Sequence, residues 1–167
     1  MSKTIVIMGS ARSEGNTRRV LHFLAQHSQF ELVDLNEYEI SYFDYQHRNE
    51  ADDFLPLIER MLDYDRVIFA TPVYWYAMSA VMKTFFDRLT DVLKIRREWK
   101  PRLAQLKMHS LSCSGHDDLK DYFHLPFKDT ATYLNMSYAG HVHTWVDGDL
   151  IPAEAKTRLR NLARQLS

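Results

Sequence analysis

The sequence predicts an α/β fold, a doubly wound sandwich in which a parallel sheet carries helices on both faces. Three observations predict it. Short β-branched runs alternate with helical patterns from one end of the chain to the other. The first run passes directly into a polar turn with two glycines, Gly9-Ser-Ala-Arg-Ser-Glu-Gly-Asn-Thr17, and then into a helix. The composition, 46% hydrophobic and 26% charged over 167 residues, is that of one globular domain, taken as residues 1–167.

Strands are expected at Thr4–Met8, Phe30–Asp34, Arg66–Ala70, Lys107–Ser112 and Met136–Trp145. A helix over Asn16–Gln26 turns Val20, Phe23 and Leu24 to one face. The next, Asp52–Leu62, carries Leu55, Ile58, Met61 and Leu62. The clearest period runs from Ser79 to Leu93 through Met82, Phe85, Phe86 and Leu89. Asp118–Leu134 reads as a fourth helix interrupted or kinked near Pro126. Pro152 opens a last helix, Ala153–Leu166, with Ala155, Leu159, Leu162, Ala163 and Leu166 inward. In such sheets ligands sit beyond the carboxyl ends of the strands, so the loops after the first, third and fourth strands are where function is sought.

Charge and cysteine content exclude several classes. A net charge of -1 offers neither a basic field for nucleic acid nor an acidic one for a basic partner. A single cysteine, Cys113, allows no intramolecular disulfide and no cysteine-based zinc cluster. The apolar run Thr4–Met8 is too short for a secretory signal, and no stretch is long and apolar enough to span a membrane, so a cytoplasmic location is expected.

The first loop reads as a phosphate cradle. A helix N-terminus presents free N–H groups and partial positive charge. Ser10, Ser13, Asn16 and Thr17 add polar donors, and Arg12 adds a guanidinium. An N-cap alone requires one such side chain. Known phosphate loops fail on spacing: Asn16 stands where a Walker A lysine would, and the third glycine of G-x-G-x-x-G is missing. No acidic pair ends the first strand as in a receiver domain, and Leu119 stands where a Cys-x5-Arg phosphatase loop needs arginine. After the third strand, Pro72 is expected to fix a turn, and Val73, Tyr74, Trp75 and Tyr76 to border a planar aromatic ligand. Alone, these aromatics read equally well as a plug over the sheet or a subunit contact. The third loop, Ser112-Cys113-Ser114-Gly115, is small enough to let a flat ligand approach the backbone, with Cys113 read as a buried filler.

Together, "GSARSEGNT" and "TPVYWYAMSAVMKTFFDR" resemble the NAD(P)H-dependent FMN reductases, which have a flavodoxin-like fold. The likeness spans nearly the whole chain in element order. Ser79 stands where many members have proline, and the cysteine cluster of the related iron–sulfur flavoproteins is absent. The resemblance implies a five-stranded parallel sheet in the order 2-1-3-4-5, with FMN at the switch between the first and third strands. It places the FMN phosphate on Ser10, Arg12, Ser13, Asn16 and Thr17, next to Gly15. Pro72 to Tyr76 would border the ring and ribityl chain, and Ser112 to Gly115 its pyrimidine edge or far face.

The implied activity is hydride transfer from NAD(P)H to flavin N5, followed by reduction of a quinone, free flavin or similar small-molecule acceptor in a ping-pong cycle. No catalytic side chain is required, because the flavin carries the chemistry. A homodimer or homotetramer is implied by the resemblance alone. A flavodoxin-like one-electron carrier is the main alternative, kept open by Asp117 and Asp118 but disfavoured by the near-neutral charge. A flavin-binding sensor or chaperone-like module without turnover is another. His141-x-His143 shares one strand face and reads as a packed or interfacial pair rather than a metal site. Lys94, Arg96, Arg97, Lys100 and Arg102 read as a solvated basic surface, or else as a contact for the 2′-phosphate of NADPH or a dimer edge around Trp99.

Overall fold

The structure is a computed structural model that describes residues 2–166. In chain order it contains β1 (Thr4–Met8), α1 (Asn16–Ala25), β2 (Glu31–Asp34), α2 (Phe54–Met61), β3 (Arg66–Tyr74) and β4 (Ala77–Met78). There follow α3 (Ala80–Ile95), α4 (Lys100–Leu103), β5 (Lys107–Ser114), α5 (Leu125–Tyr133), β6 (Ser137–Trp145) and α6 (Ala153–Leu166). The sheet runs β2-β1-β3-β5-β6 with every neighbouring pair parallel, which is the order 2-1-3-4-5 of its five long strands. The two-residue β4, not expected from sequence, pairs antiparallel with the end of β3.

Double winding is visible within one strand. Ile5 and Ile7 enter the core under α2, α3 and α5, while Val6 and Met8 enter a second core under α1 and α6. A strand buried on both faces has no polar side, which is why β1 is a continuous apolar run. The five inward residues expected of α6 are all buried.

Two expectations need correction. Pro72 does not fix a turn: β3 continues through it to Tyr74, and β5 continues past Ser112 to Ser114, joined by the pairs Thr71–Ser112 and Pro72–Cys113. Backbone groups alternate sides along a strand, so Pro72 shares the side of Ala70, where β1 has already ended at the Met8–Ala70 pair. Its missing N–H therefore removes no ladder bond. Second, Pro126 does not kink a long helix. A short 3₁₀ turn at Asp121–His124 precedes α5, and Pro126 lies in the first turn of α5, where no N–H is needed. The sequence gives no sign that β6 is irregular: its register passes from Met108–Tyr138 to His109–Gly140, leaving Ala139 as an inserted residue. Gly140 has φ +124°, a conformation that side chains disfavour. The bulge brings Tyr138, His141 and His143 onto one face of this edge strand. Among the described residues no helix is long and apolar enough to cross a membrane.

Candidate functional site

The first loop is held from behind, which leaves its donors facing outward. Gly9 N donates to Ala70 O at 2.9 Å. A Cβ on Gly9 would lie 2.9 Å from Met82 Cβ, so glycine here lets α3 pack against the loop. Ser79 ties the same two elements: its hydroxyl donates to Gly9 O at 2.7 Å and accepts Met82 N at 3.1 Å as the N-cap of α3. A proline at this position could do neither. Asn36, just past β2, donates to Ser10 O at 2.8 Å, and Arg18 donates to Ser13 O at 3.0 Å while pairing with buried Asp34 at 2.8 Å. Asn36, Arg18 and Asp34 shape the loop but were missed in the sequence, because their role depends on β2 lying beside β1.

The cradle itself lacks internal partners. Gly15 occupies the N-cap of α1 with no side-chain cap, and the first turn carries no acidic residue. The hydroxyl of Thr17 is buried with no hydrogen-bond partner among the described residues. Ser10 is buried and its hydroxyl accepts Arg12 N at 3.3 Å. Free helix N–H groups, an unpaired buried hydroxyl and an exposed guanidinium form a donor set suited to an anion such as phosphate.

Tyr74, Trp75, Tyr76 and Ala77 form the β3–β4 hairpin turn. Trp75 and Tyr76 both have positive φ, 48° and 65°. This pair of left-handed residues suits a two-residue hairpin, but asparagine and glycine usually supply it. The turn lifts the Trp75 side chain into solvent, 93% exposed, beside half-exposed Tyr74 and Tyr76.

Ser10, Arg12, Gly15, Asn16 and Thr17 meet Pro72, Val73, Tyr74, Cys113, Ser114 and Gly115 around one cleft of about 150 Å³. Through Val73, Ser114 and Gly115 it adjoins a recess of about 310 Å³ walled by Trp75, Tyr76, His116, Asp118, Leu119 and Lys120. Both lie beyond the carboxyl ends of β1, β3 and β5. The rim loop after β5 is fastened to α6, where Arg158 donates to the two Asp117 carboxylate oxygens at 2.9 and 2.8 Å.

Two expected residues face elsewhere. Ser13 is engaged from behind through its carbonyl and weakly through Asn36. Ser112 is fully buried, and its hydroxyl lies between His141 Nε2 at 3.0 Å and His143 Nδ1 at 2.8 Å. The pleat puts it on the opposite face from Cys113, whose thiol is buried in the core under α1 and α6. Burial pushes that thiol up to about 11, so it remains protonated. His141 and His143 do share a face, and among the described residues no group of three or more metal-ligating side chains is present. The basic cluster, expected first as a solvated surface, lies apart from the cleft. Lys94, Arg97 and Lys100 line a separate recess with Tyr133 and Asn135 at the C-terminal end of α3, the end of the sheet away from the cleft.

Residues 2–143 match the family model described as NADPH-dependent FMN reductase. A protein of Bacillus subtilis (strain 168) named as an NAD(P)H-dependent FMN-containing oxidoreductase, YwqN, is 32% identical over 152 residues, covering 84% of this chain and 83% of that protein. The solved structure of Trp repressor binding protein from Bacillus subtilis is 25% identical with a TM-score of 0.76, covering 99% of this chain and 98% of that one. An FMN-dependent NADH-azoreductase from Bacillus anthracis, solved with FMN, shares the fold at 12% identity and a TM-score of 0.68, over 98% of this chain and 99% of that one.

Proposed function

The chain belongs to the family of NADPH-dependent FMN reductases, and from its cleft we propose that it reduces a small acceptor such as a quinone or a free flavin by a ping-pong cycle. FMN, when bound, supplies hydride acceptance and release, chemistry that no protein side chain offers. In this reading Ser10, Arg12, Asn16, Thr17 and the first N–H groups of α1 hold the phosphate. Pro72, Val73 and Tyr74 border the ribityl chain, and Ser114 and Gly115 present backbone to the ring. Trp75 and Tyr76 wall one side of the recess, where nicotinamide and acceptor would bind in turn.

The observation that carries the proposal is the buried, unpartnered hydroxyl of Thr17 at an uncapped helix start. A buried hydroxyl without a partner is costly, and a phosphate oxygen above the first turn of α1 removes that cost. Of the two acids that keep the one-electron-carrier reading open, Asp117 is already paired with Arg158. As part of the same proposal, the protein works in the cytoplasm as an assembly of two or more copies, which sedimentation velocity would resolve.

The experiment is to add FMN to the purified protein, remove the excess, and titrate anaerobically with NADPH while recording the visible spectrum. Retained flavin that bleaches with NADPH, together with parallel double-reciprocal plots for NADPH and a quinone, is the expected result. No retained flavin would overturn the reading of the cleft. Retained flavin that only dithionite reduces would overturn the reductase in favour of a carrier.

A further inference from the structure

One wall of the recess beside the cleft is a loop held by side chains. Of residues 114–120, Ser114, Gly115, His116, Asp118, Leu119 and Lys120 line the recess, while Asp117 turns the other way, toward α6. Among the described residues no backbone–backbone hydrogen bond reaches 115–119. Within the segment, Ser114 Oγ donates to the His116 carbonyl and accepts His116 N at 3.3 Å. From β6, His143 Nε2 donates to the same carbonyl at 3.1 Å, because a carbonyl can only accept. From α6, Arg158 donates to the two Asp117 oxygens at 2.9 and 2.8 Å.

Arg158 is fixed by other groups besides Asp117. Its guanidinium lies 4.8 Å from the centre of the Trp145 ring, which stacks on His143 with centroids 6.1 Å apart. One terminal nitrogen also donates to the His143 carbonyl at 3.3 Å, and the other to Glu154 at 2.7 Å, one helical turn away. All four terminal N–H groups thus have acceptors, in a planar fork that matches a carboxylate. Little of the arginine is left to order when Asp117 docks. A docked Asp117 in turn fixes the peptide groups on either side of it, those of His116 and Asp118.

We propose that Arg158 and Asp117 are positioning residues: they set the wall of the recess, and so set how tightly NAD(P)H and the acceptor bind, without touching either. The proposal rests on the reductase reading of the cleft. With the clasp cut, residues 115–119 sample other positions, and a ligand must order them as it binds. The loss falls on binding rather than on the step that follows, because an occupied recess holds its own wall. FMN, held at its phosphate end by the α1 cradle, borders only Ser114 and Gly115 of this segment, so its retention changes less.

The test joins kinetics on the FMN-loaded enzyme to ¹⁵N relaxation on the FMN-free protein. Asp117→Ala and Arg158→Met should each lower kcat/KM for NADPH and for a quinone about fivefold, the upper range for an ion pair partly open to solvent. Flavin should be retained, and kcat should change by less than about twofold, the pattern of a lost binding contribution. The double variant should fall no further than either single one, since both changes remove the same contact. Arg158→Lys, which keeps the charge without the fork, should recover part of the loss. Without flavin, amide order parameters over residues 115–119 should fall from about 0.85 in the wild type to below about 0.6 in Asp117→Ala and Arg158→Met. A clasp that only stabilises the fold would lower Tm and leave kcat/KM and the order parameters at wild-type values, and that result overturns the proposal. Additive losses in the double variant overturn it as well. A wild type that retains no flavin would instead refute the cleft reading, while the order parameters still decide whether Arg158 fixes the wall.

Discussion

Replacing Arg88 with methionine tests how the connection between β2 and α2 is held. Arg88 is fully buried, and its guanidinium lies 4.8 Å from the centre of the Phe54 ring. It donates to Asp91 at 2.6 Å, to both Asp52 oxygens at 2.5 and 3.0 Å, and to the Ser41 carbonyl at 2.9 Å. Asp52 in turn accepts Ser41 N at 2.9 Å and Phe54 N at 3.0 Å, so one cation fastens the loop to the start of α2. Burial alone would raise the Asp52 carboxyl, but its bonds to Arg88 and to two backbone N–H groups bring it below its ordinary value. Methionine fills similar space and leaves Asp91 facing only His47, 2.8 Å away. Removing one partner of a buried ion pair costs about 3–5 kcal/mol. At 2–4 °C per kcal/mol, that is roughly 6–20 °C in Tm for a chain of this size. Thermal unfolding by circular dichroism measures the loss, and limited proteolysis near exposed Tyr42 and Tyr45 should accelerate. Arg88→Lys, which keeps the charge but not the fork, should fall between. A Tm within about 2 °C of wild type, with unchanged proteolysis, would refute the argument.

Thr17→Val should weaken FMN binding by about tenfold or more, the loss of one hydrogen bond to a charged group. The FMN-free protein should keep its Tm or gain slightly, because an unpartnered buried hydroxyl is removed; paired fluorescence titration and calorimetry separate the two effects. Trp75→Asn with Tyr76→Gly supplies residues that accept positive φ, and should stabilise the FMN-free fold by about 1 kcal/mol or more while lowering flavin retention. Burial, with help from the Lys107 and Arg66 cations, brings His109 down to about 4, so below about pH 6.5 the unfolded chain takes up a proton that the fold refuses. Stability is therefore full above that pH and falls toward pH 4. Tm at pH 5 should drop less in His109→Gln than in wild type.

The sequence made the β1–loop–α1 unit legible because three local signals coincide there: a β-branched apolar strand, a polar loop with two glycines, and a helix period that starts directly after it. It concealed the β3–β4 hairpin for an equally local reason. Trp75-Tyr76 has none of the glycine or asparagine that marks such turns, and Thr71-Pro72 reads as a break although the ladder passes through it. Ser112–Gly115 was expected as a loop; because Ser112 to Ser114 continue β5, the pleat puts the Ser112 side chain on the face opposite Cys113. Asn36 and Arg18 were invisible for a topological reason, since they support the loop only because β2 lies beside β1.

Exceptions to local rules occur in several parts of the fold, since α2 and α5 also lack side-chain caps and His47 and Asn135 also have positive φ, but three kinds of exception meet at the cleft. α3 has a serine cap that is itself hydrogen-bonded, and Arg88, although buried, has its donors matched to acceptors. Around the cleft the same rules are broken repeatedly: α1 has no side-chain cap, Thr17 has no partner, and two consecutive aromatics sit at positive φ. Each departure costs on the order of 1 kcal/mol or more in the ligand-free fold. Packing does not require them, since a serine cap or an Asn-Gly turn would serve the same backbone. What they share is direction. The free N–H groups, the hydroxyl and the raised aromatics all border one continuous opening, so a single ligand with an anionic end and a flat end offsets the costs at α1 and Thr17 together and gives the raised aromatics a surface to meet. This coincidence adds to the Thr17 hydroxyl as support for the proposed FMN site.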